Sequence, residues 1–446
     1  MKNVLFLCTN YHNFDHLYLS IAKKLNNNFD LFALFDKYST YQSYKKKFNS
    51  NDVKAAFVFD QKIKETYKFK PSRSLFYYYQ VDYDRVTYFD FKPQITAEFL
   101  KKIGSLIATY LVDNRIDYVV SEGPYNIFCR VTHEIANNLG LKVFSLKGGR
   151  LYSTSFVANH DGMTPAFCNL NQKLEIKSEK VEYINKNSHV QRGVFAKLFR
   201  FKDTSFFKVF LRELPFIFNQ YDKLHPTYPN ALLFQLILLY EQIKRVFRRE
   251  YGCCISDVKK AKLESERIIL YPEHFHPEAS YSATNFELRN DFENILNIAS
   301  NLPGDCKLVV KLHPSNSGRV STSLYRNIEN STGVIFLRSD QSLDELLSIT
   351  NLIISVNSTV VIDAAKLGVP SILIGEMEVT EGCLGVKRIT CFSEIKSVLN
   401  DQVIEKAYLD EDWFASHYLD VYLWSEDFAD RFHAAICDES RHVAQV

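Results

Sequence analysis

The segment "VVKLHPSNSG", from Val309 to Gly318, determines how the rest of the chain is interpreted. Its two valines predict a buried β-strand, yet the strand ends on a lysine, a histidine and a proline, and small polar residues follow. A strand that contributed only to a core would not need this ending. We therefore expect His313 and Pro314 at the carboxyl end of a strand, before a turn whose hydroxyl groups and amides can hold an anion.

Strand-like and helix-like segments alternate on both sides of this stretch. Residues 1–180 contain the strand candidates "NVLFLC", "FDLFALF", "AAFVFD", "IDYVVSEG" and "KVFSLKG", and residues 263–400 repeat the pattern from "RIILYPEH" to "PSILIG". A chain of 446 residues is long enough for two domains. The sequence therefore predicts an α/β protein with two facing Rossmann-like domains, in which ligands bind at the carboxyl ends of the strands.

The segments outside these two repeats have a different character. Residues 181–262 are rich in aromatic and basic residues at helical spacing, which predicts a helical linker. Its helices can pack between the domains with their charges in solvent, or they can lie on an anionic membrane surface, and both interpretations remain open. Residues 401–446 predict C-terminal helices that cross back and brace the first domain.

Composition excludes several classes of protein. The formal net charge of +2 lacks the basic excess of a dedicated nucleic-acid binder. The nine cysteines are scattered, and the adjacent pair Cys253 and Cys254 lacks the spacing of a metal or redox motif. The first apolar run is too short for a secretory signal, and no segment reaches the length of about 18 apolar residues needed to cross a bilayer. A cytoplasmic protein is expected.

A second polar turn follows the strand candidate "LIISVNS". It places Asn357, Ser358 and Thr359 directly before a predicted helix, whose exposed amides and positive dipole end favour an anion. Serine and asparagine at this position also cap helices that bind no ligand. Two such turns in one domain nevertheless predict a nucleotide, and Lys311, on the same strand face as His313, adds positive charge.

A third strand candidate ends in "YPEHFHPEAS", which delivers Glu273, His274 and His276 to a loop. Histidines and acidic residues this close together in the sequence could form a metal site. However, His274 and His276 flank Phe275 without a third ligand at a diagnostic spacing, so contacts to a nucleotide or a sugar are favoured.

Three motifs carry a family resemblance. "LYPEHFHPEAS", "VVKLHPSNSGR" and "ISVNSTVVIDAAKLGVPSILIG" resemble, in order and spacing, the C-terminal lobe of bacterial capsular polysaccharide biosynthesis proteins. That family is similar to GT-B glycosyltransferases, and the His-Pro motif also resembles bacterial sialyltransferases of that fold. The similarity covers residues 269–376. It implies a GT-B-like fold and a CMP-activated donor with a Kdo-like or sialic-acid-like sugar.

The resemblance also implies roles for individual residues. His313, Ser358 and Thr359 would contact the donor phosphate, with Lys311 balancing charge, so that no metal or other cofactor is needed. Glu273 would face the nucleotide or the sugar. The predicted donor-binding set is Glu273, His276, Lys311, His313, Pro314, Ser315, Asn357, Ser358 and Thr359.

The acceptor hydroxyl needs a catalytic base, which we expect in the first domain. Glu122, in "YVVSEGPYN", is the first candidate because it follows a strand, although it can also be a helix cap. Asp15 and His12, in "TNYHNFDH", are competitors, and Asp15 can cap the next helix. Arg150 is predicted to contact an acidic acceptor or the donor carboxylate.

The expected activity is sugar transfer from a nucleotide-sugar donor to a growing bacterial surface polysaccharide or a lipid-linked glycan. Three alternatives remain open: a nucleotide-sugar epimerase, a glycerophosphotransferase of the same fold, and a non-catalytic partner in polysaccharide assembly or export. No nucleic-acid partner is expected. If the basic linker contacts anionic lipid, the protein is peripheral at the inner face of the cytoplasmic membrane.

Overall fold

The computed structural model describes residues 1–9, 14–45, 52–61, 67–75, 93–149, 151, 154–167, 170, 251–264, 267–274, 285–288, 290–314, 316, 320–401, 405–421, 423, 425 and 427–443. These residues divide into two compact units. The first contains the described residues up to 170 and from 412 onward, and the second contains those from 251 to 411. The predicted linker lies outside the described residues up to position 250.

Apolar runs form the strands, and segments with an apolar face form the helices. The strands are β1 (Lys2–Cys8), β2 (Phe29–Phe35), β3 (Lys54–Phe57), β4 (Tyr118–Ser121), β5 (Lys142–Gly148), β6 (Ser155–Ala158), β7 (Arg267–Pro272), β8 (Cys306–Lys311), β9 (Ile335–Leu337), β10 (Leu352–Ser355), β11 (Ser371–Leu373), β12 (Cys383–Leu384), β13 (Val386–Arg388), β14 (Tyr408–Leu409) and β15 (Tyr418–Leu419). The helices are α1 (Phe14–Leu25), α2 (Tyr38–Lys45), α3 (Pro93–Asp113), α4 (Ile127–Asn138), α5 (Ile255–Glu264), α6 (Asp291–Ser300), α7 (Thr322–Thr332), α8 (Leu343–Leu347), α9 (Val360–Lys366), α10 (Glu394–Asp401), α11 (Glu411–His417) and α12 (Phe428–Val443).

The first unit is built on a seven-stranded sheet in the order β15-β6-β5-β4-β1-β2-β3. Strands β1 to β5 are parallel, whereas β6 runs antiparallel to β5. The interior strand β1 is continuously apolar from Val4 to Cys8 because both of its faces are buried. This is a doubly wound, Rossmann-like arrangement, as predicted.

The second unit repeats this plan with a six-stranded parallel sheet in the order β13-β11-β10-β7-β8-β9. Its core includes the fully buried rings of Tyr271 on β7 and Phe336 on β9. A two-stranded antiparallel ribbon, β12-β14, lies beside this sheet. The prediction of an α/β fold with two Rossmann-like domains is confirmed.

The C-terminal helix α12 returns to the first unit, as predicted. Lys24 of α1 forms an ion pair with Asp430 of α12 at 2.6 Å. Phe432 is fully buried, and its ring centroid lies 5.8 Å from that of Phe144 on β5. Strand β15, which precedes this helix, pairs with β6 and extends the sheet. The first unit is thus completed by residues from the far end of the chain.

Residues 251–262 belong to the second unit, although their sequence predicted a place in the linker. Val258 of α5 is fully buried in the same apolar cluster as Ile268 and Leu270 of β7. The backbone N–H of Cys253 donates to the carbonyl of Phe336 at 2.8 Å. Within the parts of the chain described, no helix combines the length and the apolar character needed to cross a bilayer.

Candidate functional site

The second sheet has one point where the chain reverses its direction of winding. From β7 the chain continues to β8 and β9 on one side, and then returns to β10 and β11 on the other side. In open parallel sheets, ligands bind in the crevice that forms at such a point, outside the carboxyl ends of the strands. The loops that follow β7, β8 and β10 therefore form the candidate donor site.

Glu273, directly after β7, holds the turn that follows β8. Its Oε2 accepts the backbone N–H of His313 at 2.7 Å, and its Oε1 accepts the hydroxyl of Tyr325 at 2.8 Å. Burial raises the pKa of Glu273, while these two hydrogen bonds oppose the rise. The carboxylate faces the protein, which corrects the predicted role of direct contact with the nucleotide or sugar.

Lys311 contacts the loop that follows β9. Its ammonium donates to the carbonyls of Ser339 at 2.8 Å and Arg338 at 3.4 Å, in the loop after β9. Strand β9 lies on the far side of β8 from the winding reversal. The role of Lys311 in balancing donor charge beside His313 stays a prediction.

His313 and Pro314 lie in the turn after β8, as the sequence predicted for a strand end. The carbonyl of His313 accepts the N–H of Asn316 at 2.9 Å, which closes the turn. The side chain of His313 is half-buried, and Pro314 is exposed. Contact between His313 and a phosphate stays a prediction. Ser315 and His276 lie outside the described residues.

The turn after β10 is held by side chains that lie beneath it. The N–H of Asn357 donates to Nε2 of His274 at 3.4 Å, and the N–H of Ser358 donates to Oγ of Ser355 at 3.0 Å. Oγ of Ser358 accepts the N–H of Val360 at 3.3 Å. These amides have partners within the protein, which corrects the expectation that they are exposed to an anion.

Two hydroxyl groups of this turn remain at its outer side. Ser358 is half-buried, and its hydroxyl hydrogen is not used when Oγ accepts the N–H of Val360. Thr359 is exposed, and its side chain makes no capping hydrogen bond to α9. Asn357 is buried. Contacts of the three side chains with a nucleotide stay predictions.

His274, the neighbour of Glu273, is the centre of a buried network that no sequence motif indicated. Oδ2 of Asp291 accepts the N–H of His274 at 2.7 Å, and Oδ1 lies 3.2 Å from Nδ1 of the imidazole. The hydroxyl of Tyr271 donates to the same Oδ1 at 2.5 Å, and Nδ2 of Asn316 donates to the carbonyl of His274 at 2.6 Å. The sequence signal was weak, because an acid in the first turn of a helix is usually a response to the helix dipole.

The first unit has an equivalent winding reversal between β1 and β4. Thr9 follows β1 and Glu122 follows β4, and the hydroxyl of Thr9 donates to Oε1 of Glu122 at 2.6 Å. Nδ2 of Asn126 donates to the same oxygen at 2.8 Å. Glu122 is only 7% exposed. The structure thus places this candidate base at the crevice of the first sheet, where it contacts two polar side chains.

Glu122 is not the cap of the helix that follows it. Asn126 is the N-cap of α4, and its Oδ1 accepts the N–H of Cys129 at 2.8 Å. The alternative role considered for Glu122 is therefore wrong. Burial raises the pKa values of Cys8 and Cys129, and the charge of Glu122 contributes to both rises. Glu122 therefore lies beside thiols that stay protonated.

The remaining first-domain candidates are only partly described. Asp15 lies inside α1, which begins at Phe14, and its side chain is outside the described set. His12 and Arg150 also lie outside the described residues. Their predicted roles stay predictions.

Comparisons with solved structures find proteins of similar extent and low identity. The chain is similar to KpsC, a beta Kdo 2,7 transferase from Thermosulfurimonas dismutans, with 11% identity over 87% of this chain and 89% of that one and a TM-score of 0.35. It is similar to a putative UDP-N-acetylglucosamine 2-epimerase from Listeria monocytogenes, with 12% identity over 99% and 97% and a TM-score of 0.28. A UDP-GlcNAc 2-epimerase from Neisseria meningitidis, bound to UDP-GlcNAc, has 16% identity over 98% and 100% and a TM-score of 0.25. Because these TM-scores are low, the fold is assigned from the strand orders of the two sheets and not from these similar structures.

Comparison of the sequence with known protein families assigns the chain to a family. No curated protein matches significantly. The family described as "Capsule polysaccharide biosynthesis protein" matches residues 128–378, which include β7, β8, β10 and the turns that follow them. Because this match covers more than half of the chain, the protein belongs to the capsule polysaccharide biosynthesis family.

Proposed function

We propose that the protein is a glycosyltransferase that moves a CMP-activated sugar, Kdo-like or sialic-acid-like, onto a growing surface polysaccharide or a lipid-linked glycan. One observation carries the proposal. At the winding reversal of the second sheet, two polar turns are held from beneath by the adjacent residues Glu273 and His274. A site whose shape is fixed before the ligand arrives lowers the cost of binding it.

The donor would bind at the outer side of these turns. The imidazole of His313 and the hydroxyls of Ser358 and Thr359 would donate to the phosphate, which gains negative charge as the glycosidic bond opens. Donors that are already positioned stabilise this charge without a metal, and we propose that the reaction is metal-independent. Specificity for CMP is part of the proposal, and it depends on the resemblance of the His-Pro and serine-rich motifs.

The acceptor would be activated by Glu122. In the proposed reaction, the acceptor oxygen forms a bond to the anomeric carbon while its proton passes to the Glu122 carboxylate. The bond between the anomeric carbon and the phosphate oxygen breaks, and its electron pair leaves with the nucleotide. Thr9 and Asn126, which donate to Oε1, would keep the carboxylate oriented. Asp15 is the alternative base.

Donor turnover with and without acceptor tests this function. Purified protein would be incubated with CMP-Kdo or CMP-sialic acid, with or without a glycan fraction extracted from the source strain. A transferase releases CMP rapidly only when acceptor is present, and His313→Ala and Glu122→Gln should abolish this release. Ser397→Ala, which changes an exposed serine of α10, is the control. Sugar conversion without acceptor would instead indicate an epimerase.

A peripheral membrane location follows if the acceptor is lipid-linked. The segment that would contact anionic lipid lies in residues 181–250, outside the described part of the chain. We propose that the protein acts at the inner face of the cytoplasmic membrane, where a nucleotide-sugar and a lipid-linked glycan can meet.

A further inference from the structure

A chain of three polar groups connects α6 to the turn after β10. Asp291 lies 3.2 Å from Nδ1 of His274, and Nε2 of His274 lies 3.4 Å from the backbone N–H of Asn357. All three residues are buried, with exposures of 3%, 4% and 7%. A buried carboxylate is costly unless donors surround it, and here Tyr271 and His274 supply those donors.

The groups on either side of His274, Asp291 and Asn357, determine which nitrogen of its imidazole carries the hydrogen. The carboxylate of Asp291 can only accept, so Nδ1 of His274 must carry the hydrogen. The backbone N–H of Asn357 can only donate, so Nε2 must present its lone pair. The tautomer with hydrogen on Nδ1 satisfies both conditions, and the tautomer with hydrogen on Nε2 satisfies neither.

Helix α6 does not need Asp291 as a cap. Asn290 is the N-cap, and its side chain accepts the N–H groups of Phe292 and Glu293. Glu293 supplies a second acid in the first turn and is exposed. The buried position of Asp291 is therefore better explained by its contact with His274 than by the stability of the helix.

We propose that Asp291 is a positioning residue of the donor site: it selects the tautomer of His274, and His274 then holds the turn at Asn357 so that Ser358 and Thr359 face the nucleotide. This inference depends on the proposed function, because it assumes that a nucleotide binds at this turn. Asp291 itself does not contact the nucleotide.

Asp291→Asn tests the inference with little change in volume. Either orientation of the new amide places an N–H group against a donor. In one orientation the amide N–H group of the new side chain faces the backbone N–H of His274. In the other it faces Nδ1 of His274, so the imidazole adopts its other tautomer, and its Nε2–H group then repels the N–H of Asn357. We expect the affinity for CMP to fall about tenfold, the effect of losing one positioning hydrogen bond.

Two further variants separate positioning from general stability. Glu293→Gln removes an acid from the same helical turn and should keep wild-type affinity. Tyr271→Phe removes a donor to Oδ1 of Asp291 but leaves the tautomer of His274 unchanged, so its affinity should also stay close to wild type. The measurements are calorimetric titration with CMP and amide hydrogen exchange of a peptide that spans β10 and the start of α9.

The inference predicts faster exchange of this peptide in Asp291→Asn, with the rest of the second unit unchanged. It is overturned if Asp291→Asn binds CMP as wild type does. It is also overturned if Asp291→Asn and Tyr271→Phe lose affinity equally while exchange rises throughout the unit, which is the signature of a structural role alone. If the wild-type protein binds no nucleotide, the proposed function fails and the inference fails with it.

Discussion

Oε2 of Glu273 accepts the backbone N–H of His313 across 2.7 Å, so a residue at the end of β7 holds the turn that follows β8. The next residue, His274, does the same for the turn that follows β10. Two consecutive residues thus fix two neighbouring turns at the winding reversal of the sheet. The candidate donor site is organised by residues that do not themselves need to contact the donor.

Glu273→Ala should destabilise the second unit. The substitution leaves the N–H of His313 and the hydroxyl of Tyr325 without their buried acceptor, which costs about 1–3 kcal/mol. Urea denaturation measures the free energy of unfolding. Glu293→Ala removes an exposed glutamate and should change it by much less. Equal stability of the two variants would contradict the role given to Glu273.

Thr9→Val should lower kcat for transfer and leave the KM for the donor nearly unchanged. The hydroxyl of Thr9 donates to Glu122, the proposed base. A hydrogen bond to a charged group is worth about 1.5–3 kcal/mol, so we expect kcat to fall at least about tenfold. Glu122→Gln should lower kcat about a hundredfold or more.

The control for Thr9→Val is Thr132→Val. Thr132 is fully buried in α4 of the same unit, and its hydroxyl donates to the carbonyl of Phe128. Steady-state kinetics with saturating acceptor separate kcat from KM. If both threonine variants reduce kcat to the same extent, Thr9 acts only through the stability of the unit.

His133 should make the first unit sensitive to acid. Burial lowers the pKa of His133 from 6.5 to about 4, and its Nε2 lies 2.7 Å from the hydroxyl oxygen of Ser121. Below pH 6.5 the unfolded chain binds a proton that the folded chain excludes, so stability is lost as pH falls towards 4. Between pH 7 and pH 5 this single group costs about 2 kcal/mol.

His133→Gln should reduce that acid-induced loss by about the same amount. Urea denaturation at the two pH values provides the measurement. Ser121→Ala removes the hydrogen bond at Nε2 but keeps the imidazole buried, so it should retain the wild-type dependence on pH. An unchanged loss of stability in His133→Gln would show that other groups cause the acid sensitivity.

The sequence predicts the strands well and the side-chain contacts poorly, for physical reasons. Long apolar runs such as β1 and β7 are recognisable because burial on both faces excludes polar residues. Strands of two residues, such as β12 and β15, are too short to show any period. Their existence depends on partners that are distant in the chain.

The same limit applies to the candidate site. The pattern of apolar runs shows that His313 and Glu122 follow strands, and the structure agrees. It does not show that the flexible side chain of Lys311 turns to the carbonyl of Ser339, nor that Asp291 meets His274 seventeen positions away in the chain. Hydrogen bonds between separate loops depend on how the loops pack, and local sequence patterns carry no information about that packing.

The most direct test of the central claim is calorimetric titration of the wild-type protein with CMP, with CDP, UDP and GDP as comparisons. The account predicts that CMP binds, that His313→Ala and a double variant, Ser358→Ala with Thr359→Val, weaken its binding at least about tenfold, and that Ser397→Ala does not. If no nucleotide binds, or if these variants bind CMP as tightly as the wild type does, the second unit is not the donor site.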